Sequence, residues 1–387
     1  MRKLVLIFIA VVLIAGGLFI FLSSNSETES PQPNTESQST ETDETPQDTE
    51  PTSIRIAAMG DMLPHDTVNL RAETSDGYDY TPFFADVAEF IDADIVFCNQ
   101  ESPSAGKDYG ITGYPSFNAP FQFARDLSSV GCNLINLANN HIADKGQQAI
   151  DATLGVWESL DTLAVAGANR NLAEQDTVRY FTVGDTRFAF IAFTDLSNNR
   201  SIGGFGVNMF SDTLVKRLAI EASSNADYVI ASAHWGVEDS SSVSSSQRSW
   251  ATLMAENGVD LIIGTGPHVL QPVEKIGDTV VWYSIGNFLS TQLTLDQLTG
   301  GIAYIDIPLD GGEPELSFLP TYMSYTWSAS EAAAEDFLAR DNLQLVPLDQ
   351  AGQLIEDSLF DATAESQLAK VTNVLTSSVE VTILNSL

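Results

Sequence analysis

The sequence predicts an α/β fold built on a largely parallel, buried sheet, and three observations carry that expectation. Short apolar runs end in polar residues and are followed by amphipathic stretches, repeatedly, which is the strand–loop–helix rhythm of parallel sheets. Residues 187–193, Arg-Phe-Ala-Phe-Ile-Ala-Phe, form a nearly unbroken apolar run, as strands covered on both faces do. Residues 133–146, NLINLANNHIADKG, pass from an apolar strand into Asn139, Asn140 and His141, then Asp144 and Gly146. Polar groups at the C-terminal edge of a strand are where open α/β sheets hold ligands.

Taken in order, residues 54–59 read as a first buried strand that runs into Gly60, Asp61 and, further on, His65. Residues 83–91 read as a helix, and residues 94–98 as a second strand ending at Asn99, Gln100 and Glu101. A helix over 117–130 carries Phe121, Phe123 and Leu127, and residues 134–137 supply the third strand, followed by a helix over 147–160. After the run at 187–193, which ends at Thr194 and Asp195, a helix over 214–226 leads to a strand at 228–233 that stops at His234. The helix at 245–257 puts Trp250, Leu253 and Met254 on one face. Residues 261–263 form a strand ahead of Gly264 and His268, and residues 279–283 form another that closes on Gly286 and Asn287. Beyond Gly311 the pattern loosens into expected edge strands and a closing helix that carry no chemistry.

Four segments follow from composition. Arg2 and Lys3 precede an unbroken apolar run of 19 residues, 4–22. A helix of that length spans about 28 Å, close to the hydrocarbon thickness of a bilayer. Residues 1–22 are therefore expected to be a signal-anchor, retained because no small-x-small cleavage site follows, with a cleaved signal peptide as the competing reading. The basic flank places the anchor's start in the cytoplasm and the bulk of the chain outside, as a single-pass protein of the cell membrane. Residues 23–52 are Ser, Thr, Glu, Gln, Asp and Pro, too polar to offset the entropy of ordering, and read as a disordered acidic tether. Residues 53–310 form the main domain, and 311–387 an extension packing on it.

The formal net charge is −35, and −29 remains once the tail's eight acids and the two leading basic residues are set aside. Such a surface excludes nucleic acid as a partner by long-range repulsion. Of the two cysteines, Cys98 falls near the end of one strand and Cys132 at the start of the next parallel one. They are expected at opposite edges of the sheet, as buried small hydrophobes with no disulfide.

The chain has four histidines, His65, His141, His234 and His268. Asp61, Glu101, Asn140, His141, His234 and His268 each fall at a strand end, drawn from five separate strands. Carboxylates, imidazoles and an amide oxygen are the ligand set of one or two borderline divalent ions, Mn, Fe or Zn. Asp61 is the expected bridge. Asn140 is placed to ligate a metal or contact substrate, and His141 to ligate or to protonate a leaving group. Asp144 and Asn287 are placed to orient those ligands, and His65 is a further ligand candidate. Asn99 and Asn139 are expected to satisfy turn backbone groups.

Several ordered stretches together resemble the poly-γ-glutamate capsule-synthesis protein (CapA) family. They are Gly60-Asp61-Met62-Leu63, Asn99 to Pro103, Leu137 to His141 with Asp144 and Gly146, and His234-Trp235-Gly236-Val237-Glu238. Pro267 to Glu274 and Tyr283 to Phe288 complete the set. The resemblance covers residues 54–307. It implies a calcineurin-like metallophosphatase fold, a β-sandwich flanked by helices. It also implies a membrane-anchored extracellular role in capsule or polyglutamate synthesis or export, beside membrane subunits of that machinery and an anionic polymer or phosphoester substrate. An active two-metal phosphoesterase or hydrolase and a non-catalytic binding module are the alternatives. The chain departs from the family where an extra histidine often precedes the Pro-His pair, since Gly266 stands there. His65 stands where many relatives carry a basic residue.

Overall fold

The chain fills one sheet, leaves it for a second, and returns. In the computed structural model, which describes residues 52–386 apart from Arg200, β1 (Ser53–Met62) leads through α1 (Asp66–Ala72) to β2 (Ile95–Gln100). α2 (Phe121–Ser129), β3 (Leu134–Asn136), α3 (Gln147–Trp157) and β4 (Ala164–Ala166) follow. The second sheet takes β5 (Arg179–Val183), β6 (Thr186–Thr194), then α4 (Asp212–Asn225), β7 (Tyr228–His234), α5 (Ser245–Ala255), β8 (Leu261–Thr265), β9 (Leu270–Ile276) and β10 (Thr279–Ile285). β11 (Asn287–Leu289), β12 (Thr299–Pro308), β13 (Glu315–Thr326), β14 (Asp341–Pro347), α6 (Ala364–Leu375) and β15 (Thr382–Ile383) return to the first. The expected anchor and tether lie outside the described residues. Among the described residues no helix is long and apolar enough to cross a membrane.

The first sheet runs β14-β13-β12-β1-β2-β3-β4, with β11 beside β1 and β15 beside β13; the second runs β9-β10-β8-β7-β6-β5. Each has a parallel centre, β1 to β4 in one and β6, β7, β8 and β10 in the other. Antiparallel strands flank both centres. The expected α/β fold with a largely parallel, buried sheet is thus seen, and the parallel centre occurs twice, once in each of two mixed sheets; an apolar run reports burial and not which sheet covers it.

The two sheets share a core. Phe97 of β2 meets Phe190 of β6 edge to face at 6.2 Å, and Trp282 of β10 stacks on Phe318 of β13 at 6.0 Å. Each such pair adds about 0.5–1.5 kcal/mol beyond its buried area. Phe123 and Leu127 of α2 and Ile150 and Trp157 of α3 join that core. Val215 and Leu218 of α4 and Met254 of α5 form a second cluster with β6, β7 and β8. Ser211 caps α4, and a Ser244–Gln247 capping box opens α5, each worth about 1 kcal/mol.

Three expectations are corrected. Cys98 and Cys132 form a disulfide, with Cα atoms 5.8 Å apart. β3 is only three residues long and begins opposite Phe97, one residue before Cys98. The turn leaving α2 therefore delivers Cys132 beside the middle of β2, not to a far edge. Residues 83–91 are not one helix but two short 3₁₀ turns, Thr81–Phe84 and Ala88–Phe90, neither with a side-chain cap. Burial of Phe83, Phe84 and Val87 in the core sets their winding. Past Gly311, the 12-residue β13 is internal to the sheet, flanked by β12 and β14.

Candidate metal centre

Parallel strands of one sheet all point their C-terminal ends the same way, and here the two sheets bring those ends together. Asp61 lies in the last turn of pairing of β1, beside Asn99 of β2 and Asn287 of β11. Glu101 follows β2 directly, its N–H donating to Met62 O at 3.1 Å. His234 is the last residue of β7, and His268 follows β8 with φ of 61°.

Asp61 is fully buried and held from three sides. Oδ1 accepts from Asn99 Nδ2 at 2.6 Å; Oδ2 accepts from Gly266 N at 3.1 Å and lies 3.0 Å from His268 Nδ1. Burial alone would raise its pKa, but the His268 hydrogen bond and the charges of His268 and His234 hold it below the usual carboxylate range. Glu101 is equally buried, yet neither carboxyl oxygen has a hydrogen-bond partner among the described residues. Burial, then the neighbouring Asp61 charge, pushes it well above its ordinary value. Its Oε1 is 3.7 Å from His234 Nε2 and 3.8 Å from His268 Nε2.

Burial depresses His234 to about 4, against the pull of Asp61. Burial also opposes the charge on His268, but Glu101 and the Asp61 hydrogen bond win and raise it to about 10. His234 Nδ1 lies 3.0 Å from Thr265 Oγ1, and its Nε2 lies 3.1 Å from Asn140 Oδ1. Asn99 Nδ2 also lies 3.4 Å from Nδ1, so with Nδ1 as acceptor Nε2–H donates to Asn140, whereas with Nδ1 as donor Nε2 and the amide oxygen are two lone-pair ligand atoms side by side.

Asp61, Glu101 and His234 each offer one ligand atom, all within 4.8 Å of one another. Two buried carboxyls, one without a partner, beside neutral imidazole nitrogen and an amide oxygen are a donor set that fits a divalent ion. His268, Asn140 and Asn287 adjoin this group; Asn287 Oδ1 is 3.0 Å from His268 Nδ1.

His141 stands at the edge of the cluster, with Nδ1 2.7 Å from Asp144 Oδ2 and its ring 4.5 Å from that of Phe117. His65 is not hydrogen-bonded to the cluster. Its Nδ1 accepts from Thr291 N at 3.3 Å, and burial, then the charge of Arg340, lowers its pKa to about 3. Asn139 serves backbone, donating to Gln100 O and accepting from Ile142 N. Asn99, expected to do the same, instead orients Asp61 and accepts from Asn136 Nδ2 at 2.8 Å. The missed signal was its period-two spacing from Glu101, which puts both side chains on one side of the strand. Thr265 was missed for a different reason, since nothing local marks its tie to His234.

A two-sheet sandwich that gathers carboxylates and imidazoles at the shared ends of its parallel strands is the metallophosphatase-like class. The profile of the family described as "Bacterial capsule synthesis protein PGA_cap" matches residues 55–292, more than half the chain, and the chain belongs to that family. It is 33% identical over 174 residues to "PGA biosynthesis protein CapA" of Bacillus subtilis (strain 168), covering 43% of this chain and 44% of that one. It is 30% identical over 184 residues to "Capsule biosynthesis protein CapA" of Bacillus anthracis, covering 45% and 44%. Each match thus spans less than half of the curated relative.

Proposed function

We propose that this chain is a membrane-anchored, extracellular component of poly-γ-glutamate or capsule-polymer synthesis or export, working through a divalent-metal pocket. The observation that carries the reading is Glu101, a buried carboxyl with no partner beside a held Asp61 and His234, in a chain of the capsule-synthesis family. The names of the two Bacillus relatives support the polymer. The Cys98–Cys132 disulfide supports an oxidising compartment. The apolar run at 4–22 supports a single-pass anchor, with other membrane subunits of the machinery as partners.

Asp61, Glu101 and His234 would hold the ion, with Asn140 and His268 beside them; Mn, Fe and Zn all suit the donors. A bound ion supplies Lewis acidity and a low-pKa water. The chain's own contribution is orientation. Asn99 and Gly266 aim Asp61, Thr265 fixes the His234 ring, and Asp144 backs His141. The acidic surface disfavours capture of an anionic polymer by charge alone, so recognition falls to the pocket.

The test is complementation of a strain lacking the gene, with surface glutamate polymer measured after acid hydrolysis. The wild type should restore polymer, and the Asp61→Asn, Glu101→Gln double variant, present at equal level in the membrane fraction, should not. Full output from the double variant defeats the reading. The His141–Asp144 pair favours one second reading, an extracellular phosphoesterase with His141 as proton donor. Turnover of phosphoesters with Mn²⁺ that is lost in Asp61→Asn would support it.

A further inference from the structure

The loop that leaves β6 touches both halves of the site. On one side, Asp195 N donates to His234 O at 3.1 Å, and Asp195 Oδ2 accepts from Gly236 N at 3.0 Å. On the other, Asn198 N donates to Asn140 O at 2.9 Å, and Asn199 Nδ2 donates to Ala143 O at 3.0 Å. The Asn198 side chain itself reaches His141, with its amide nitrogen Nδ2 placed 3.1 Å from Nδ1. Five residues thus tie the end of β7 to the loop that carries Asn140 and His141.

The groups around His141 Nδ1 constrain one another. Asp144 Oδ2, 2.7 Å away, also accepts from Phe117 N at 2.7 Å. An ionised carboxylate only accepts, so Nδ1 carries the proton and donates. Asn198 Nδ2, as placed, cannot accept that proton; exchanging the amide's O and N by a half-turn, which leaves the chain unmoved, turns its oxygen to the N–H. In that orientation two acceptors, from loops that follow strands of the two different sheets, share one N–H. They fix both the ring plane and the tautomer, while Nε2 has no hydrogen-bond partner among the described residues.

We propose that Asn198 is a positioning residue: with Asp144 it locks His141 as the Nδ1–H tautomer and leaves Nε2 for a metal or a leaving group. The inference rests on the reading that places His141 in the site. Nothing in its local sequence marks Asn198, which is exposed and sits in a run of Ser and Asn. Its role comes from the crossing of two loops.

The test reads the tautomer directly. In the full chain in detergent, labelled with ¹⁵N-histidine, long-range nitrogen–proton spectra report each ring, and His141→Gln assigns the signal among only four histidines. The wild type should show the Nδ1–H pattern. Asn198→Ala keeps the backbone bond to Asn140 and should shift the tautomer ratio about fivefold, the factor for one neutral hydrogen bond. Asn199→Ala, which removes the neighbouring bond to Ala143, should leave it unchanged. An unmoved ratio in Asn198→Ala, or an equal shift in Asn199→Ala, overturns the proposal. The functional reading is judged separately: wild-type polymer output from His141→Gln would remove His141 from the chemistry whatever the spectra show.

Discussion

Asp61 and His268 stand 207 residues apart in the chain, yet Oδ2 of one lies 3.0 Å from Nδ1 of the other. The same loop reaches Asp61 a second time through Gly266 N at 3.1 Å. The buried carboxylate that Asn99 holds by Oδ1 is thus held at Oδ2 by one short segment after β8, and residue 266 makes its contact with backbone alone.

That arrangement makes a side chain at 266 tight and its backbone strained. A Cβ there would sit 3.0 Å from both Trp235 N and Trp235 O, and φ is +107°. Gly266→Ala should cost about 1–3 kcal/mol, read as a lower urea midpoint with unchanged m-value. Gly266→His should be worse and should add no metal. A histidine variant that is fully stable and binds a second ion per chain would refute this account of the departure from the family pattern.

Glu101 should respond in opposite directions with and without metal. In the wild type, Mn²⁺ should raise the melting temperature, with stabilisation of about 2.7 kcal/mol at a hundred times Kd. Glu101→Gln should bind at least about tenfold more weakly yet be no less stable when metal-free, because the carboxyl it replaces has no partner. Titration calorimetry and thermal melts check both halves. Equal affinity in the variant would remove Glu101 from the ligand set.

The disulfide closes a stretch of 34 residues that contains α2. Replacing both cysteines by alanine should cost about 2–5 kcal/mol, seen in denaturant melts under non-reducing conditions. It should also loosen the end of β2, where Asn99, Gln100 and then Glu101 follow Cys98. A double variant as stable as the wild type would show that packing alone holds the β2–β3 crossover.

Truncation after Asp310 should abolish folding. It removes β13, β14 and β15 and so uncovers β12 along its whole length. It also strips Phe318, Leu319, Tyr322 and Met323 from the core. Burying one such side chain is worth about 1.5–3 kcal/mol, so the four together are comparable with the whole net stability of an ordinary domain, about 5–15 kcal/mol. The measurement is soluble yield and circular dichroism; a folded, soluble truncation would make the C-terminal part a true appendage.

Much of the site was legible along the chain because each element carries its own local signal. An apolar run that breaks at Asp61, Glu101 or His234 announces a strand end whatever pairs with it. The same signal was silent on partners. It could not tell that β6 and β2 belong to different sheets, though Phe190 and Phe97 meet between them. It placed Cys98 and Cys132 at opposite edges because the length of β3 is set by pairing, not by composition. Asn99 read as a turn residue because a single amide looks the same whether it serves backbone or a carboxylate.

The amino-acid sequence by itself determined which segments form strands, which residues end them, and the acidic character of the chain. These depend on periodicity and charge within a few neighbouring positions. Only the tertiary structure decided which strands enter which of the two sheets, that the cysteines bond, that Gly266 offers an N–H to Asp61, and that Asn198 meets His141. Each of those is a contact between segments far apart in the chain, and hydrophobic pattern within one segment holds no record of the other.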